Sequence, residues 1–139
     1  MMDIYRDEIL DHARHPRNRG KISNPTHRSR TPNPLCGDMI DLMIRLEGKN
    51  SWVKEVGFEA NACAVSVAAA SMLTEKMKGK TKKELRRLRE EDVVSWFGGS
   101  LTPSRRECAL LPLKALQEAL AVRQAHRPEP SRGKGGEEK

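Results

Sequence analysis

At 139 residues with 37% hydrophobic content, the chain fits one compact domain with a buried core and is too short for two comfortable ones. A net charge of +7 raises nucleic acid as a partner, but the cations are spread over several segments with few aromatics to stack on bases, which weighs against it. The longest uncharged stretch, Ala60 to Thr74, is too short to span a membrane and is diluted by Asn61, Ser66, Ser71 and Thr74.

The opening MMDIYRDEIL carries Asp3, Asp7 and Glu8 and shows no apolar run before a small-residue cleavage site, which predicts a cytoplasmic protein without a secretory signal. Asp3 can cap a first helix with Tyr5, Ile9 and Ala13 on one face, and His15-Pro16 stops it. Arg17 to Pro34 is basic, polar and broken by Gly20, Pro25, Pro32 and Pro34; it reads as an irregular connection holding at most an edge strand. Ile40, Leu42, Ile44 and Leu46 alternate with Asp41, Met43, Arg45 and Glu47, the period of a half-buried strand. After the turn Gly48-Lys49-Asn50-Ser51, a second strand places Val56, Phe58 and Ala60 on one face, so the pair forms an antiparallel hairpin. Such a ribbon needs helices over one face.

Ala64 to Lys78 follows as a helix apolar around most of its circumference, ended by Gly79. Thr81 and Glu84 fit a capping box that starts another helix, and a short turn spans Asp92 to Phe97. Ala109, Leu113, Leu116 and Leu120 mark a last helix starting near Cys108, with Pro112 obscuring its beginning. One domain is expected over residues 1–125. Residues 126–139, charged and rich in proline and glycine, are expected to form a disordered tail.

The three cysteines, none within four residues of another, cannot all pair, which leaves thiols for metal or sulfur chemistry. Each lies at an element end: Cys36 before the first hairpin strand, Cys63 between the second strand and the buried helix, Cys108 at the start of the last helix. The hairpin brings Cys36 and Cys63 to one end of the ribbon. A helix N-terminus at Cys63 favours the thiolate, the form that binds metal and attacks sulfur. Three thiolates are one ligand short of a tetrahedral set, and Asp38, two residues from Cys36, can be the fourth. Its harder oxygen suits a cluster less well than sulfur does, so a mixed set would hold one loosely enough to hand it on. The plainer alternatives are buried cysteines acting as small hydrophobes, Asp38 as a turn residue and Glu107 as a solvated helix-start acid. His12, His15, His27 and His126, in basic or tail segments, read as surface residues.

Three stretches resemble the U-type iron-sulfur scaffold family, which comprises IscU, SufU and the N-terminal domain of NifU, over nearly the whole chain from Tyr5 to about Leu120. IYRDEILDHARHPRNRG resembles the family's opening helix and its H-x-x-x-P-R-N-x-G stretch. Asn33-Pro34-x-Cys36-Gly37-Asp38 matches its first cysteine motif in full; Cys63 with Ser66, Ala70, Ser71 and Thr74-Glu75 resembles the second, and Cys108-Ala109 the third. The resemblance implies an α+β fold of the IscU, NifU-N and SufE-like kind, with a small antiparallel sheet of about three strands packed against several helices. It further implies a scaffold that is not an enzyme, takes sulfur from a cysteine desulfurase, assembles a transient [2Fe-2S] cluster with iron, and passes it to iron-sulfur acceptor proteins. Cys36, Asp38, Cys63 and Cys108 would then hold the cluster, or zinc, which the family binds at the same site.

The chain also departs from the family pattern. Ala60 and Ala62 stand where the family usually has glycine, at a cost on the order of 1 kcal/mol if either position needs a positive φ. Glu107 replaces the histidine that the IscU branch places before its third cysteine, whereas Arg105 matches an arginine of the SufU branch. The long SufU insertion is missing, and Leu101-Thr102-Pro103-Ser104-Arg105 only partly resembles the segment that the IscU branch presents to an Hsp70-type chaperone. Three functions therefore compete: a cluster scaffold, a zinc-dependent sulfur acceptor relaying persulfide from a desulfurase, and a structural or regulatory paralogue.

Overall fold

The computed structural model describes residues 2–33, 37–99 and 101–121, so the tail expected from residue 126, and His126 with it, lies outside the described residues. Helix α1 (Met2–Arg14) stops before His15-Pro16 as expected, with Ile9 and Ala13 against the core. The helix begins at Met2, one residue before Asp3.

The sheet has three antiparallel strands in the order β1 (His27–Pro32), β2 (Met39–Glu47) and β3 (Trp52–Asn61). Alternation buries Ile40, Leu42, Ile44 and Leu46 with Val53, Val56 and Phe58 on one side. Over that side lie α2 (Ala64–Met77) and α5 (Pro103–Ala121), which also pack against each other. The capping box at Thr81 forms as predicted: Glu84 N donates to Thr81 Oγ1 at 3.1 Å and Thr81 N to Glu84 Oε1 at 2.9 Å. It opens the short α3 (Lys82–Leu85), followed by α4 (Glu90–Trp96). Edge strand β1 is tied down by hydroxyls: Ser29 Oγ donates to the Ala115 carbonyl at 2.7 Å and Thr31 Oγ1 to Glu118 Oε1 at 2.6 Å.

The stretch His12-x-x-x-Pro16-Arg17-Asn18-x-Gly20 is a docking device. His12 Nδ1 and Arg17 N both hydrogen-bond Ser71 Oγ, at 2.7 and 2.8 Å, on a serine with 0% exposure. Asn18, at φ 65°, donates through Nδ2 to Thr74 Oγ1 at 3.0 Å and Glu75 Oε2 at 2.9 Å. Its carbonyl then accepts from Phe58 N at 3.0 Å, and Gly20 N donates to Phe58 O at 2.7 Å, so the loop pairs with the outer edge of β3. This approach is close enough that a Cβ at Gly57 would overlap the Gly20 carbonyl oxygen and press on Ile22. Ala60 and Ala62, by contrast, carry no positive-φ strain: the non-glycine residues with positive φ among the described residues are Asn18, Asn24 and Ser51.

The surface reading of two histidines needs correction. His12 is half-buried against Ser71, and His27, also half-buried, hydrogen-bonds Thr26 Oγ1 at 2.9 Å. Basic sequence neighbours gave no warning that the chain turns these rings inward.

The packing can be tested at two points. Gly57→Ala should cost about 1–3 kcal/mol in urea unfolding, because the added carbon has no room against the backbone of Gly20; unchanged stability would contradict the close approach. Burial, then Lys82 and Arg86, push His27 down to about 4 from its ordinary 6.5. As pH falls from about 6.5 towards 4, the unfolded chain takes up a proton that folded His27 refuses, so stability should drop across that window. His27→Gln should flatten the drop; what remains includes His12, which burial and Arg17 also push down. A wild-type pH dependence retained by the variant would count against it.

Candidate metal centre

In β2 and β3, Met39 pairs with Asn61, so Asp38, one residue before the pair, and Cys63, two residues after it, emerge close together at one end of the sheet. Asp38 is held by its backbone: Asn33 N donates to the Asp38 carbonyl at 2.8 Å, and Gly37 N to Asn33 O at 2.9 Å with Gly37 at φ +76°. Its side chain is thereby aimed at α2, where Oδ2 accepts from Cys63 N at 3.2 Å. Cys63 occupies the N-cap of α2 and is exposed. The N–H of Cys63 is one of the donors that a helix start leaves without an intrahelical partner, and Asp38 takes it from outside the helix.

The third member comes from α5, and here the sequence reading is corrected. That helix begins at Pro103, so half-buried Cys108 lies in its second turn and not at its start. The signal was Thr102-Pro103: Thr102 Oγ1 accepts from Arg105 N at 3.4 Å and its carbonyl from Arg106 N at 2.8 Å, while proline suits the first helical position. Pro112 does not break the helix, which continues to Ala121.

A carboxylate oxygen of Asp38 and the sulfurs of Cys63 and Cys108 lie within 4.8 Å of one another. Four ligands around one tetrahedral ion with sulfur at about 2.3 Å sit about 3.8 Å apart, so at most about 1 Å of closure is needed. Rotation of an exposed cysteine side chain supplies that. Two soft sulfurs and one oxygen suit zinc or iron better than calcium or magnesium. Cys36 lies outside the described residues.

The auxiliary candidates do not join this group. Arg105 is exposed in the first turn of α5, and Glu107 faces Lys114, 3.9 Å away. Conversely, Ser66 belongs to the centre although sequence reasoning gave it no chemical role: it has 0% exposure, with Oγ 3.4 Å from Asp38 Oδ2 and 3.7 Å from Cys63 Sγ. Its position one turn after Cys63, in the apolar first half of the helix, is the available clue.

The family described as NifU-like N terminal domain matches residues 4–128. The iron-sulfur cluster assembly scaffold protein IscU 1 of Archaeoglobus fulgidus is 33% identical over 117 residues, covering 84% of this chain and 74% of its own. The zinc-dependent sulfurtransferase SufU of Bacillus subtilis is 33% identical over 135 residues, covering 85% of this chain and 90% of its own. Among solved structures, FiSufU of Fervidobacterium islandicum AW-1 superposes with a TM-score of 0.70 at 27% identity, over 82% of this chain and 94% of that one. With a three-stranded sheet, five helices and converging acidic and thiol groups among its described residues, the chain belongs to the NifU-like N-terminal domain family, the U-type scaffold group of IscU, SufU and NifU.

Proposed function

We propose that this protein is a scaffold for iron-sulfur cluster assembly. It receives sulfur from a cysteine desulfurase on its cysteines, holds a nascent [2Fe-2S] cluster on Cys36, Asp38, Cys63 and Cys108, and passes it to acceptor proteins. It acts as a carrier, not an enzyme. The carrying observation is the convergence of Asp38, Cys63 and Cys108 from three separate elements to within 4.8 Å at one end of the sheet. Cys36, two residues before Asp38, completes the set of four. Exposure of Cys63 suits delivery, since sulfur donor and cluster acceptor must both reach it.

The second reading is zinc-dependent persulfide relay. One observation favours it: Glu107, standing where the IscU branch has an imidazole, is turned towards Lys114 and leaves the centre to four ligands that also fit zinc.

Anaerobic reconstitution with iron and sulfide separates the two. Scaffold function predicts visible absorption with two irons per cluster, lost in Cys63→Ser and Cys108→Ser; one tight zinc and no colour would instead establish relay. Asp38→Cys should slow timed transfer of the cluster to an apo-acceptor, because an all-thiolate set holds iron more tightly. Transfer as fast as wild type would remove the carboxylate from the release step.

A further inference from the structure

Helix α5 contains Pro112, which has no N–H. In an α-helix that N–H would bond the carbonyl four residues earlier, and the residue four earlier is Cys108. The carbonyl of a ligand-bearing residue, at the edge of a segment in which Ala109 to Leu113 are all buried, has therefore lost its normal helical donor. Ser66 Oγ, from α2, donates to the Cys108 carbonyl at 2.9 Å. A hydroxyl has one proton to give, and the carbonyl is nearer than Asp38 Oδ2 at 3.4 Å, so the proton belongs to the carbonyl. The oxygen lone pairs then face Cys63, whose thiol lies within donor reach at 3.7 Å.

We propose that Ser66 and Pro112 form a positioning pair: the proline brings no N–H to the Cys108 carbonyl, and the serine hydroxyl, which does reach it, fixes Cys108 against the helix that begins at Cys63. The separation of the two sulfurs is then set by a short path through one turn of α2 and one interhelical hydrogen bond. It does not depend on the longer route through the core. The pair deepens the metal-centre reading on which it rests.

A double-mutant cycle on the full chain tests it. Zinc affinity is measured by competition with a chromogenic chelator. In metal-free protein carrying Cys36→Ser, the rate at which dibromobimane bridges Cys63 to Cys108 reports the sulfur separation independently of any metal. Ser66→Ala should weaken zinc roughly tenfold, the usual effect of removing a group that orients a ligand, and should slow bridging. Pro112→Ala restores the helical N–H as a second donor to the same carbonyl, so S66A should cost less in both readouts in the P112A background than with Pro112 in place; a folded double variant where S66A alone fails to fold counts the same way. The proposal is overturned if S66A leaves both readouts unchanged, or costs as much in the P112A background as it does with Pro112 in place, since its effect would then run through Asp38 or Cys63. Bridging that is lost and rescued in a protein that binds no zinc would keep the positioning pair and overturn the metal-centre reading.

Discussion

The pairing of Met39 with Asn61 is the constraint on which the rest of the centre depends. It brings the entry to β2 and the exit from β3 together, so a carboxylate and a thiol 25 residues apart in sequence become neighbours without any contact chosen for that purpose. A slip of one residue would turn Ile40, Leu42 and Ile44 to the other face of the sheet, so core burial defends the same register that the chemistry needs. Asp38 gains a further role from it: its carboxylate takes the N–H of Cys63 at the head of α2, coupling the cap of a buried helix to the centre.

The place of the third member of the group, Cys108, depends on long-range packing. Helix α5 lies across β1 and β2 and against α2, and the hydroxyls of Ser29 and Thr31 hold the edge strand to it. On the opposite flank, the loop through Arg17, Asn18 and Gly20 clamps α1 to α2 and shields the edge of β3. The second clamp fixes the buried side of α2, while the end of the helix that carries Cys63 stays exposed.

Much of this was legible in the sequence. Period-two alternation located β2 and β3, and the largely apolar circumference of α2 together with the Thr81 capping box located the helices that follow them. Hairpin logic alone put the start of β2 and the end of β3 at one end of the ribbon; Cys36, the neighbour it gives Cys63 there, lies outside the described residues. What could not be read was set by partners distant in the chain. Strand β1 has a polar, basic sequence because one face meets solvent, and only the helix laid over it makes Ser29 and Thr31 interior residues. The start of α5 was misplaced because Pro112 was weighed as a breaker while Thr102-Pro103, an ordinary opening pair, was passed over. Half-buried His12 and His27 looked like surface residues for the same reason: charge around them in sequence says nothing of what folds over them.

The donor set decides the chemistry, and X-ray absorption at the zinc edge of the zinc-loaded full chain reads that set directly. The account predicts three sulfurs at about 2.3 Å and one oxygen at about 2.0–2.2 Å, with the oxygen replaced by a fourth sulfur in Asp38→Cys. Zinc bound by oxygen and nitrogen alone, or a set that keeps all its sulfurs when Cys63 and Cys108 are both serine, would contradict it.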